Sequence, residues 1–149
     1  MKPSKEIKDI ENIARKVRAA IEEEIATSKY TNDIELQSFP RGSCEVATVI
    51  LGLFLIQAGY EKTIQHAGLR RNINGSENYH VWLFVNDQII VDITADQFQE
   101  CTSKIIVETR SKLHDSFPVY QKRPLNLEAL DRNGMANYRN LYNEILHKG

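Results

Sequence analysis

An excess of charge of either sign is missing from this 149-residue chain: 19 Lys and Arg stand against 20 Asp and Glu, for a formal net charge of −1. Proteins that grip nucleic acid or anionic lipid present a basic stripe, and the interspersed charges here argue against both partners. Long apolar runs are also missing. The longest, Val46 to Ile56, already contains Gly52 and is too short to span a bilayer. The charged amino terminus has no apolar signal region, so the expected location is the cytoplasm, or delivery as an effector without a conventional signal peptide. Cysteine is scarce, with Cys44 and Cys101 alone. That excludes a disulfide framework, and without a secretory context a bridge between the two is disfavoured. Neither a Cys-x-x-Cys nor a His-x-x-x-His pair occurs, so no metal and no cofactor is assigned. The length suits one domain with a real core.

What is present is concentrated between Phe39 and Gly59. Pro40-Arg41-Gly42-Ser43 forms a loop signal and leads straight into Cys44, with Ser43 or Gly42 able to cap a helix. Val46, Val49, Ile50, Leu53, Phe54 and Ile56 then occupy every side of a helical wheel, the mark of a buried helix, and Gly59 suits its C-terminal cap. A buried cysteine is more often a small hydrophobe than a nucleophile. At the start of a helix, however, free backbone amides and the dipole favour a thiolate. Catalysis then requires a base.

Tyr79-His80-Val81-Trp82-Leu83-Phe84-Val85 and Gln88-Ile89-Ile90-Val91-Asp92-Ile93-Thr94 flank a polar turn at Asn86-Asp87, a strong hairpin signal. Side chains alternate faces along a strand, so register decides whether His80 and Asp92 meet. A two-residue loop would put them on opposite faces. A three-residue loop at 85–87 sets them directly across from each other, and one at 86–88 sets them one diagonal step apart; Asn and Asp tolerate the left-handed conformation such loops need. Trp82 shares the His80 face by parity and would either shield the pair from water or fill core. Asp96 is the alternative acid, unless it caps the turn before Gln97-Phe98. His66, on a strand expected over Tyr60 to Arg70, is a rival base, read as a partly exposed strand histidine because no acid follows at strand spacing.

Gly42-Ser43-Cys44, His80-Val81-Trp82 and Val91-Asp92-Ile93-Thr94-Ala95-Asp96-Gln97-Phe98 together resemble the transglutaminase-like branch of the papain-like thiol enzymes, in particular its small bacterial members. The resemblance covers roughly residues 39–117. It implies a papain-like core and acyl transfer from an amide or thioester to Cys44 and on to water or an amine, with a protein or peptide as substrate. Cys44, His80 and Asp92 would then be nucleophile, base and orienter, and the Cys44 backbone amide would form half of an oxyanion hole. Relatives often place a Gln six residues before the Cys. Here Ser38 stands there and Gln37 one residue earlier, so Gln37 and Ser43 are the site-shaping candidates.

The fold expected is α+β: a buried helix on an antiparallel sheet of about four strands, with helices at both termini. The whole of 1–149 is read as one domain, with an N-terminal helix within 1–30 and a C-terminal helical extension over 118–149. Ile7, Ile10, Ala14, Val17, Ile21 and Ile25 form an apolar stripe over residues 4–27. Such a stripe docks on its own domain in most proteins, but the spacing also fits a short coiled-coil seam and a homodimer. A short strand is expected at Ile34 to Leu36, and another at Ile105 to Val107. Ser111 to Phe117 reads as a short helix with His114 on the surface, Pro118 to Pro124 as an extended linker, and Leu127 to Leu146 as two helices broken near Asn133-Gly134. Against the enzyme reading stands a binding, adaptor or immunity protein that keeps the fold without turnover.

Overall fold

The computed structural model describes residues 5–27, 39, 44–128, 130 and 136–148. Helix α1 runs over Lys5–Ala26 and buries Ile10, Ala14, Val17 and Ile21, with Ile7 and Ile25 packed alongside. Its apolar stripe therefore packs into the chain's own core. Helix α2, Cys44–Gln57, is buried on nearly every side, as its wheel requires. It ends in a Schellman cap: Tyr60 N–H donates to Leu55 O at 3.0 Å and Gly59 N–H to Ile56 O at 3.1 Å, with Gly59 at φ 106°. Gly52, mid-helix, is a packing device, since a Cβ there would fall 2.2 Å from Leu125 Cδ1.

Strands β1 (Thr63–Arg71), β2 (Glu77–Val85), β3 (Ile89–Asp92) and β4 (Ile106–Glu108) follow as an antiparallel meander. In the β2–β3 hairpin Val85 faces Ile89 and Leu83 faces Val91. The connection is thus the loop 86–88, with Asn86 and Asp87 both left-handed at φ 53° and 57°. A 3-10 helix, Ala95–Gln97, precedes β4, and a one-turn helix α3, Lys112–Asp115, follows it. The chain then crosses to the opposite edge of the sheet, where Val119–Pro124 forms β5 against β1, giving the order β4-β3-β2-β1-β5.

This fifth strand corrects the expectation of a linker and of about four strands. Its residues are largely exposed, so it lacks apolar alternation, and Pro124 is tolerated because the strand is an edge. Helix α4, Ala136–Lys148, buries Tyr138, Leu141, Tyr142 and Ile145. The expected strand at Ile34 to Leu36, the loop Pro40 to Ser43 and the break at Asn133-Gly134 lie outside the described residues. The architecture is α+β, and among the described residues no helix is long and apolar enough to cross a membrane.

Strand alternation divides the core in two. Leu83, Val85, Ile89, Val91 and Val107 face α1, α2 and α4 in one large aliphatic core. Trp82, Ile90 and Phe117 form a smaller cluster on the other side, with Phe84, Phe98 and Leu113 packed against it. The crossover from β4 to β5 covers this second face, and His80 and Asp92 share its parity.

Candidate active site

Cys44 is the first residue of α2 and is half-buried. Polar contacts tie this helix start to the sheet: Thr48 Oγ1 donates to Cys44 O at 2.8 Å and accepts from Gln65 Nε2 of β1, while Arg123 Nη1 of β5 meets Glu45 Oε2 at 3.1 Å. The helix start that carries Cys44 is thereby tied to β1 and β5. The loop 86–88 leaves His80 one diagonal step from Asp92 on a common face, and the side chains close that step. His80 Nε2 lies 2.6 Å from Asp92 Oδ2, and both residues are fully buried.

Asp92 is an acceptor-only carboxylate, so Nε2–H donates to it and Nδ1 is left for the other side of the ring. There Gln97 Nε2 approaches Nδ1 at 3.3 Å while also donating to Thr94 O at 3.0 Å. The Cys44 side chain is near enough to the imidazole to favour its charged form. The imidazole is thus bonded to Asp92 and has the Cys44 side chain nearby. Trp82, Phe98 and Phe117 surround the His80 ring at centroid distances of 5.8, 4.9 and 5.7 Å. Gly68, opposite His80 on β1, makes room for this enclosure, because a Cβ there would come within 2.8 Å of both Phe117 O and Trp82 Cη2.

Burial opposes the charged form of His80, but the Asp92 carboxylate and Cys44 outweigh it and raise the imidazole from 6.5 to about 9. Burial likewise opposes an ionised Asp92. The two imidazoles beside it and their hydrogen bonds prevail, holding its carboxyl well below the usual carboxylate range.

The second of those imidazoles is His114, whose Nε2 lies 2.6 Å from the same Asp92 Oδ2 and whose Nδ1 lies 2.6 Å from Ser111 Oγ. Expected on the surface, His114 is buried. It missed recognition because Ser111 to Phe117 carries only a weak helical pattern; the available signal was Ser111 three residues before it, an N-cap that accepts the His114 N–H. Asp92 Oδ1 accepts from Thr94 N–H at 2.8 Å, so every side of the carboxylate is satisfied.

No protein-family model, curated protein or solved structure matches this chain. The remaining assignments rest on its own geometry. Asp96 does not reach His80: it pairs with Arg18 of α1 at 2.8 and 3.0 Å, and Arg18 also donates to Ile93 O and lies over the Phe39 ring. Asp96 thereby fastens the loop after β3 and is not the third member of the line. His66, expected to be partly exposed, is buried against Phe84 at 4.8 Å. Burial, with Lys122 nearby, lowers its pKa and keeps it neutral. Cys101 is a separate free thiol bonded to Ser103 O, raised by burial. Gln37 and Ser43 lie outside the described residues.

His80, Asp92 and His114 bring ligating atoms within 4.8 Å of one another. Ligand atoms on a tetrahedral zinc at 2.0–2.1 Å stand roughly 3.3 Å apart. The 2.6 Å separations found here are those of hydrogen bonds with a proton on each line. To hold a metal, the set would have to release both Nε2 protons and spread.

Proposed function

We propose that this chain is a thiol-dependent acyl-transfer enzyme acting on an amide bond of a protein or peptide, with Cys44 as nucleophile, His80 as base and acid, and Asp92 as orienter of the imidazole. The observation that carries this reading is the 2.6 Å bond between the buried His80 imidazole and the buried Asp92 carboxylate, with the thiol of a helix-start cysteine near the same ring. A papain-like core of the transglutaminase-like kind is part of the same proposal. The Cys44 thiolate attacks the acyl carbon, the C–N bond breaks, and the proton held by His80 leaves with the amine or ammonia. Water or an amine then attacks the thioester, giving its proton to His80 and returning the thiolate. The Cys44 backbone N–H, at the first turn of its helix, is one donor to the oxyanion. Deamidation, peptide hydrolysis and amine transfer all share this course and differ in the group that leaves and the group that arrives.

The test is iodoacetamide alkylation of Cys44 across pH, in the wild type and in His80→Ala. Rapid reaction near neutrality that is lost in the variant supports an activated thiol. Ordinary thiol behaviour near pH 8 to 9 in both would favour a non-catalytic binding or adaptor role for the fold.

A further inference from the structure

We infer that His114 is a positioning residue of this same site, donating its Nε2–H to the Asp92 oxygen that also receives His80 and so fixing the carboxylate that orients the imidazole. The catalytic consequence rests on the thiol reading above; the hydrogen-bond assignment does not. His114 arrives from the crossover between β4 and β5, which has to pass over this face of the sheet to reach the opposite edge. Its ring protons follow from its partners. Ser111 Oγ receives the His114 backbone N–H, so its own O–H is free to point at Nδ1, and Nε2 is left as the protonated nitrogen facing Asp92. The donors of Ser111, His114 and His80 therefore converge on Asp92, the Ser111 arm through His114 and the His80 arm directly, with no donor facing a donor.

A simple Cys-His-Asp line does not need this arm. With His80 alone on Oδ2 and Thr94 N–H on Oδ1 at 2.8 Å, Oδ2 would keep a buried lone pair without a donor. A second buried donor on Oδ2 fills that place and divides the carboxylate's charge between two rings. It also blocks water from the one remaining side. Trp82, edge-on to His114 at 4.9 Å, and Phe117, beside His80, close the surroundings.

The test combines proton NMR of the histidine ring N–H groups with the Cys44 alkylation rate, on the intact chain. Two exchange-protected low-field ring protons are expected in the wild type, one from each Nε2–H. His114→Gln places an amide donor near the position of Nε2; it should lose one of these signals, keep the other, and retain most of the alkylation rate. His114→Leu removes the donor and should slow alkylation by roughly tenfold to a hundredfold, the loss associated with a hydrogen bond to a charged group. If His114→Leu does not fold, Ser111→Ala serves instead and should shift or broaden the His114 signal alone. The proposal is overturned if a folded His114→Leu alkylates at the wild-type rate, if the His80 signal is indifferent to every change at position 114, or if the purified protein carries an equivalent of zinc that His114→Gln releases. A wild-type thiol of ordinary reactivity sinks the catalytic reading by itself, and the NMR signals still decide the role of His114.

Discussion

The two faces of the sheet are built on opposite principles. The face under α1, α2 and α4 is aliphatic, and its buried residues stabilise the chain through the area they remove from water. The other face has a small apolar set around Trp82, Ile90 and Phe117 and places among it the buried His66, His80, Asp92 and His114. Each polar group there carries a desolvation cost that only well-placed partners offset. One face is organised for stability, and the second holds charged groups where water cannot screen them. A substitution on the first should be read in melting, and one on the second in reactivity.

The largest separation is expected at the line itself. Cys44→Ala and His80→Ala should each reduce turnover by about 10⁶-fold while the far-ultraviolet spectrum stays native. Asp92→Asn should cost less, up to about 10⁴-fold, because the nucleophile and base survive while the imidazole loses its orienter. Full activity in Cys44→Ala would exclude covalent catalysis by this residue. The counterpart on the helical face is Leu51→Ala, which deletes a fully buried side chain of α2 and should destabilise by about 2–5 kcal/mol. Denaturant melts paired with alkylation of the remaining folded fraction check the contrast; an altered rate per folded molecule would show that the two faces are not separable.

How far these faces were legible in the sequence depended on how local the signal was. The buried helix was written in consecutive residues, Val46 to Ile56, and closed by Gly59. The shared face of His80 and Asp92 followed from parity once a three-residue loop was granted, and Asn86 and Asp87 supply the left-handed backbone it needs. What escaped were features set by non-local pairing. Strand β5 is polar because it is an exposed edge, so nothing in Val119 to Pro124 marks it until β1 lies beside it. His114 is joined to Asp92 only by the crossover, and Gly68 admits Phe117 through a contact that local sequence does not reveal. Asp92 and Asp96 were alternatives because strand spacing cannot see Arg18, far upstream on α1.

A smaller effect should appear in stability against pH, and it sharpens the contrast because His80 and Asp92 lie on the same face. His80 is raised from 6.5 to about 9, so the folded chain holds its proton more tightly than the unfolded one. That contribution is complete below pH 6.5 and is lost as pH climbs through about 9, at a slope of about 1 kcal/mol per pH unit. Asp92 runs the other way: depressed from 3.8, it contributes above that value and its contribution is lost as pH falls through the lower folded value. Melting temperature should therefore decline from about pH 6.5 toward 9. In His80→Gln the alkaline decline should disappear; its persistence would place the titrating group elsewhere.

The smallest effect is expected at Asp96, and it tests the division at its seam. Asp96 lies one turn past Asp92 but points to α1, where it pairs with Arg18 at 2.8 Å while remaining 16% exposed. Arg18 has further partners in Ile93 O and Glu22, so Asp96→Asn does not strand its charge. The cost in stability should be about 1 kcal/mol, that of a hydrogen-bonded pair partly screened by solvent. Alkylation of Cys44 should hardly change, since Asp96 touches neither His80 nor Asp92 and fastens the loop only from the helical side. Asp92→Asn and Asp96→Asn are chemically identical changes four residues apart, so the ratio of their effects on the thiol isolates position from chemistry. A loss of reactivity in Asp96→Asn as large as in Asp92→Asn would mean that the loop after β3 moves as one body and that the choice of acid cannot be read from which carboxylate meets the imidazole.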